Sequence, residues 1–257
     1  MNIFKQLIKS LYSPKDIAKF RYQKIGKTIA YVFLLMFLSV LPGIYHFTMF
    51  TAELINDAKA IFAEDIPSFT ISNGTLTADV NEPMKFTGND MPIYFDPTGT
   101  MKAEDIESKN NAMGLLKDEL IIVTDGRTAQ TFSYTTFGDI NITNETITTF
   151  LDTAADARWI ILPIFFLLFY LFTAGIGFIK VSLFALVAVF IAKLLQRKLV
   201  YRHGWRLTAY SITLPTIFFS IMQMLQVQLA FQMLLDWMIT LIIIYLSIRE
   251  MPKPKKR

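Results

Sequence analysis

Cysteine is absent from the 257 residues, which excludes disulfides, thiolate catalysis and zinc–thiolate sites together. An extracytoplasmic domain without disulfides must rest on its own core, and the absence fits a bacterial envelope better than an animal secretory route. Histidine is almost as scarce, with His46 and His203 the only two. Residues 51–157 hold neither, so serine–histidine catalysis there is excluded. Basic patches interleaved with aromatics are missing from the same stretch. Nucleic acid is therefore not an expected partner, despite a net charge of +4 and a pI near 9.1. No small-residue cleavage site follows the first apolar run, which argues against a removed signal peptide.

What the chain has instead is apolar length. Residues 28–50 carry no charge over 23 positions, enough to cross ~30 Å of hydrocarbon at about 1.5 Å per residue. Residues 159–195 form a second run interrupted by Lys180 and Lys193, and 207–248 contain no Lys or Arg. Between the first two runs, 51–157 is polar and acidic, with 18 Asp and Glu against 6 Lys and Arg. The flanks have the opposite sign: Lys5, Lys9, Lys15, Lys19, Arg21, Lys24 and Lys27 precede it, and Lys253, Lys255, Lys256 and Arg257 close the chain.

The positive-inside rule turns this pattern into a topology. Residues 1–27 are predicted as a cytoplasmic basic amphipathic segment, and 28–50 as transmembrane helix 1, an uncleaved signal anchor. Residues 51–157 are predicted as an extracytoplasmic α+β domain, and 158–248 as a transmembrane bundle with a basic cytoplasmic loop at 196–206. Residues 249–257 form a basic cytoplasmic tail. The predicted fold class is thus an α-helical polytopic membrane protein with an inserted small α+β domain. Four transmembrane helices keep the tail inside, and five put it outside. The run 159–195 would overshoot a bilayer by roughly 25 Å as one straight helix. Either it crosses once and bends at Gly175-Ile176-Gly177, or it crosses twice as a hairpin.

Local signals fill in the rest. Ile3, Phe4, Leu7, Ile8 and Leu11 mark one side of a short amphipathic helix. Ser13-Pro14 then caps and starts a second helix. A helix over 51–65 is expected to end before Pro67. Strands at 69–71 and 75–80 flank the hairpin signal Ser72-Asn73-Gly74. Further strands are predicted at 84–87, 91–95, 119–124 and 127–134, with turns at Gly88-Asn89-Asp90 and Asp125-Gly126. Residues 103–116 are charged and read as helical, as do 144–157. Pro163 and Pro215 are each read as lying near a helix start.

Chemical motifs are few. Asp96-Pro97-Thr98-Gly99-Thr100 is similar to the phosphorylation loop of P-type ATPases, but proline replaces the lysine and a turn closing a strand explains the same residues. The pairs Glu64-Asp65, Glu104-Asp105 and Asp118-Glu119 read as solvated surface, since sequence neighbours do not share a face. Asn73-Gly74-Thr75, Asn141-Ile142-Thr143 and Asn144-Glu145-Thr146 match a glycosylation pattern by chance in turn-rich sequence. No catalytic, cofactor-binding or metal site is assigned, and His46 and His203 fall on opposite sides of the membrane. The candidate intramembrane polar residues are Lys180, Asp236 and Gln232, since ionisable groups at membrane depth are costly and often functional. Lys180 at a bend would snorkel to the interface; Asp236, with Gln223, Gln226, Gln228 and Gln232, marks a polar strip near an outer turn. Lys19, Arg21, Lys24 and Lys27 are candidate contacts to lipid headgroups.

Ser13-Pro14 with Phe20-Arg21-Tyr22 and Gly26-Lys27, and then Pro67 with Asn73-Gly74 and Leu76, carry a resemblance over nearly the whole chain. The sequence resembles the domain-of-unknown-function family 1189 of Gram-positive membrane proteins, some described as maltodextrin utilisation proteins. The resemblance implies a cell-membrane protein with an extracytoplasmic domain and at most an accessory role in sugar uptake. It carries over no site residues. Lys198, Gly204, Tyr210 and Pro215 also look like the Yip (Ypt-interacting protein) family, which would imply five spans and membrane organisation. Here that family's glycine-rich loop is replaced by the basic stretch 196–206.

The function expected is that of a non-enzymatic accessory or sensory membrane protein, with small-solute transport or Yip-like organisation as alternatives. The expected partners are membrane lipids, a membrane or envelope protein, and a second copy of the chain.

Overall fold

The computed structural model describes residues 1–87, 92–109, 112–123, 129–138 and 141–253, apart from the side chains of Glu64 and Phe137. The turns expected at Gly88-Asn89-Asp90 and Asp125-Gly126 lie outside these residues, as does the end of the basic tail. The chain divides into two compact units. One joins Met1–Thr48 to Leu162–Arg257, and the other is Met49–Ile161.

In chain order the elements are helices α1 (Ile3–Tyr12), α2 (Pro14–Phe20) and α3 (Ile25–Ala60), with a π-helical turn Ile61–Asp65. Strands β1 (Phe69–Ser72), β2 (Thr75–Ala78), β3 (Met84–Thr87) and β4 (Pro92–Asp96) follow, then α4 (Ala103–Glu107). Next come β5 (Ala112–Leu116), β6 (Glu119–Val123), β7 (Gln130–Ser133) and β8 (Ile142–Thr143). The helices α5 (Asn144–Leu194), α6 (Tyr201–Ser211), α7 (Thr213–Met224) and α8 (Gln232–Arg249) complete the fold. Among the described residues, four helical stretches are long and apolar enough to cross a membrane: Ile25–Ala63, Asn144–Leu194, Tyr201–Met224 and Gln232–Arg249. This is compatible with a multi-pass membrane protein carrying a small sheet unit.

In the helical unit, Ser13 caps α2 by accepting from the Asp16 amide at 3.3 Å, with Pro14 at the first helical position. The Ser13 hydroxyl donates back to the Asp16 carboxylate at 3.0 Å, and Lys9 pairs with it at 3.1 Å. This short helix is part of the core. Ile17 and Phe20 are buried with Tyr31, Leu35, Tyr210 and Ile248.

The run that left a bend and a hairpin open is one unbroken helix, α5, of 51 residues. The hairpin is thereby excluded. A Cβ on Gly177 would lie 2.5 Å from the Met36 sulfur, so Gly177 is where α3 and α5 approach closely. Pro163 lies well inside α5 rather than near its start, because the helix begins at Asn144. Pro215 does fall in the first turn of α7. It has no N–H for the Ser211 carbonyl, and the helix breaks between α6 and α7 at Ile212. The Thr213 hydroxyl takes up the Tyr210 carbonyl at 2.7 Å.

The sheet unit holds two sheets. The first, ordered β2-β1-β8, is antiparallel. Its β1–β2 turn places Asn73 at φ 51° and Gly74 at φ 77°, the left-handed values that two-residue hairpins require. The second is ordered β3-β4-β5-β6-β7, with β4 and β5 parallel and the other pairs antiparallel. A parallel pair needs a crossover, and α4 lies in that connection. The helix expected over 103–116 is therefore corrected: only Ala103–Glu107 is helical, and Ala112–Leu116 is a central strand. Its backbone is bonded on both edges, and Gly114 leaves room for Ile106 of α4, whose Cγ1 would meet an added Cβ at 2.9 Å. Phe69, Ile71, Leu76, Phe95 and Leu115 form the main core of this unit.

Candidate functional site: a polar cleft in the helical unit

Lys180 and Asp236 meet. The Lys180 ammonium donates to the Asp236 carboxylate, with the two side chains 20% and 17% exposed. Lys180 lies about 21 Å along α5 from Leu194, and Asp236 about 6 Å, one turn, into α8. Removing two charges from water costs more than an exposed pair returns, and the cost is offset only when each is held by the other. The same two helices also meet through Phe184, one turn after Lys180, and Trp237, next to Asp236, which pack edge to face at 6.0 Å.

Asp236 faces a cleft of about 420 Å³, walled by Ser39, Thr216, Ser220, Gln223 and Gln232 together with the apolar Phe219 and Met233. Gln232 precedes Asp236 by four positions and shares its face of α8. Gln223 and Gln232 also line a neighbouring hollow of about 580 Å³, with Gly43, His46, Gln226 and Gln228. The two hollows thus share a wall of glutamines. His46 is locked at this mouth: the Gln226 amide donates to its Nδ1 at 3.1 Å, leaving Nε2–H to donate to the Met224 carbonyl at 3.1 Å. The imidazole thereby closes the carboxyl end of α7. The connection to α8 holds Gln226 and Phe231 at φ 57°, a left-handed conformation costing roughly 1 kcal/mol at a non-glycine residue. The mouth is therefore a shaped loop.

This arrangement offers amide donors and acceptors, hydroxyls and one compensated charge pair. It suits recognition of a neutral, hydroxyl-rich or amide-bearing group. Its charges answer each other, leaving neither one free to act alone. No group of three or more His, Cys, Asp or Glu able to hold a metal occurs among the described residues.

The remaining sequence candidates have other places. His203, on α6, packs edge-on against Tyr22 at 5.3 Å, away from His46. Lys19 is exposed, 3.9 Å from Asp16; Lys24 is exposed, and Lys27 donates to the Met1 carbonyl. Arg21 departs from the headgroup contact expected of it. It is 7% exposed, and its guanidinium turns inward to the Ala18 carbonyl and, at 2.8 Å, to the Tyr22 hydroxyl. Sequence reasoning placed Asp236 near a turn at 226–228, where α7 and α8 are indeed joined, but put Lys180 at a bend and so missed their pairing. The available signal was one acid and one base, each isolated in an apolar run. Ser39, Thr216 and Ser220 gave no signal, since small hydroxyls are ordinary in apolar helices.

In the sheet unit the Asp96 motif is a turn clamp. Its buried carboxylate accepts from the Thr98 amide at 2.9 Å and from the Thr98 hydroxyl and Met101 amide at 2.5 Å. Burial pushes this carboxyl up, but the bonds from Thr98, Met101 and Gly99 outweigh it and hold the group below the ordinary 3.8. Asp105 likewise turns to its own helix start, accepting the Lys102 amide at 2.8 Å. Asn144 is engaged as well. Its Oδ1 accepts the Phe69 amide at 2.8 Å, while Nδ2 donates to the Phe62 and Ile66 carbonyls at 3.2 and 3.3 Å.

No curated protein and no solved structure matches the chain. The family model described as "Protein of unknown function (DUF1189)" matches residues 4–248, and the chain belongs to that family.

Proposed function

We propose that the protein is a non-enzymatic accessory or sensory component of the bacterial cell membrane. Its amino terminus is cytoplasmic and residues 51–157 are extracytoplasmic, where they contact a partner or ligand. The observation that supports this reading best is the Lys180–Asp236 pair opening on a glutamine-lined cleft. An internally compensated pair inside apolar helices suits recognition and a change of state more than bond chemistry. Its lining, amide and hydroxyl groups beside Phe219 and Met233, is compatible with hydroxyl-rich solutes that also present an apolar face, which accords with an accessory role in maltodextrin uptake.

The same cleft supports a second reading, solute translocation through the helical unit. Cross-linking from native membranes separates the two. The cross-linker belongs at exposed Glu107, because Thr98 is committed to Asp96. Recovery of one transporter or wall enzyme, lost when residues 66–143 are deleted, supports the accessory reading. Recovery of no partner, with solute movement in vesicles that Asp236→Asn abolishes, replaces it with transport.

A further inference from the structure

Helix α1 carries apolar side chains on two sides: Ile3 and Leu7 pack against the core, and a second set faces outward. Its buried side chains are Gln6 and Ser10, at 0% and 1% exposure, whereas Phe4, Ile8 and Tyr12 are 61%, 55% and 69% exposed. The three exposed side chains recur every four residues, so they form one ridge, which exposed Met1 extends. A helix that buries an amide and a hydroxyl beside Ile3 and Leu7 while leaving Phe4, Ile8 and Tyr12 outward suits an outer medium that is itself apolar. The orientation is fixed from inside: Gln6 Oε1 accepts the Tyr210 hydroxyl at 3.3 Å. The Tyr210 ring in turn packs on Tyr31 at 4.3 Å and on Phe20 at 4.9 Å.

The segment that carries the ridge is basic. Lys5 of α1, Lys15 and Lys19 of α2, and Lys24 just beyond it are exposed. Asp16, the one acidic residue of this segment, is paired with Lys9. An apolar ridge on a segment rich in exposed ammonium groups complements acyl chains beneath anionic headgroups.

We propose that α1 is a lipid-binding helix lying in the membrane interface. Phe4, Ile8 and Tyr12 sit among the acyl chains, the four lysines sit on anionic phospholipid headgroups, and Gln6 ties the helix to Tyr210. The ligand class is anionic phospholipid. The lipid contact bears on Tyr210, which lies at the end of α6 beside the break at Ile212. This inference rests on the long apolar helices being membrane spans.

The cysteine-free chain allows single labels. Full-length Ile8→Cys, Phe4→Cys, Lys5→Cys and Leu168→Cys would each carry an environment-sensitive fluorophore in phosphatidylcholine vesicles, with and without phosphatidylglycerol. Leu168 is exposed on α5 and reports the span reading by itself. At positions 8 and 4, quenching by acyl-chain nitroxides should exceed quenching by aqueous iodide, with the reverse ranking at position 5. Phosphatidylglycerol should strengthen the lipid quenching, and replacing each of the four lysines by Gln should weaken that preference roughly fivefold per residue. Iodide reaching positions 8 and 4 while position 168 is lipid-quenched overturns the proposal and leaves the spans intact. Iodide reaching position 168 as well overturns both. Energy transfer between labelled copies without lipid quenching would place a second copy on the ridge and also overturn the proposal.

Discussion

Lys180 and Asp236 stand 56 positions apart, and the ammonium of one reaches the carboxylate of the other between α5 and α8. Removing either partner strands a charge where water is scarce. Lys180→Met alone and Asp236→Leu alone are each expected to cost about 3–5 kcal/mol. The double variant should recover most of that loss, because no charge is left unpaired. Unfolding midpoints of the full chain in mild detergent check this. Additive losses in the double variant would show that the pair is not coupled.

Gly177 and Gly175 make a contrasting pair on one helix. An added methyl meets the Met36 sulfur at position 177 and nothing within 4 Å at position 175. Gly177→Ala is expected to cost about 1–3 kcal/mol through overpacking. Gly175→Ala should stabilise by up to about 1 kcal/mol through helix propensity. Met36→Ala combined with Gly177→Ala should relieve the clash. Equal effects at the two glycines would mean that α3 and α5 are not in close contact there.

Asp96 supplies a pH dependence of known sign. Its folded-state pKa lies below the ordinary 3.8, so the unfolded chain takes up its proton first as pH falls. Its contribution is therefore present above pH 3.8 and lost as pH drops through the folded value. Asp96→Asn should remove about 1.5–3 kcal/mol at neutral pH and flatten the acid response. Hydrogen exchange over residues 92–116 in the full protein measures both, and an unchanged acid response in the variant would discount the clamp.

Asn144 carries the glycosylation pattern Asn-Glu-Thr, yet its amide is spent on Phe69, Phe62 and Ile66. Asn144→Ala is expected to cost about 2–3 kcal/mol, from several lost hydrogen bonds of about 1 kcal/mol each. Faster exchange in 61–72 and 142–150 would report it. Unaltered exchange there would mean the amide is dispensable.

Much of the fold was legible because its signals are local. The Asn73-Gly74 turn depends on two residues that accept positive φ, and the α2 start depends on Ser13 and Pro14, adjacent in sequence. The apolar run 28–50 within α3 is recognisable from the absence of charge, and the run 207–248 that includes α8 from the absence of Lys and Arg. Residues 103–116 misled for the opposite reason: nothing in Ala112–Leu116 distinguishes a strand from a helix until β4 and β6 pair with it on both sides.

The sequence by itself determined where charge is tolerated and how long each apolar stretch is, because solvation acts on every residue separately. Only the tertiary structure decided that Arg21 turns inward, that α1 shows its apolar ridge outward, and that Lys180 answers Asp236. Each of those outcomes depends on a partner remote in the chain, and a side chain's medium is set by what packs around it.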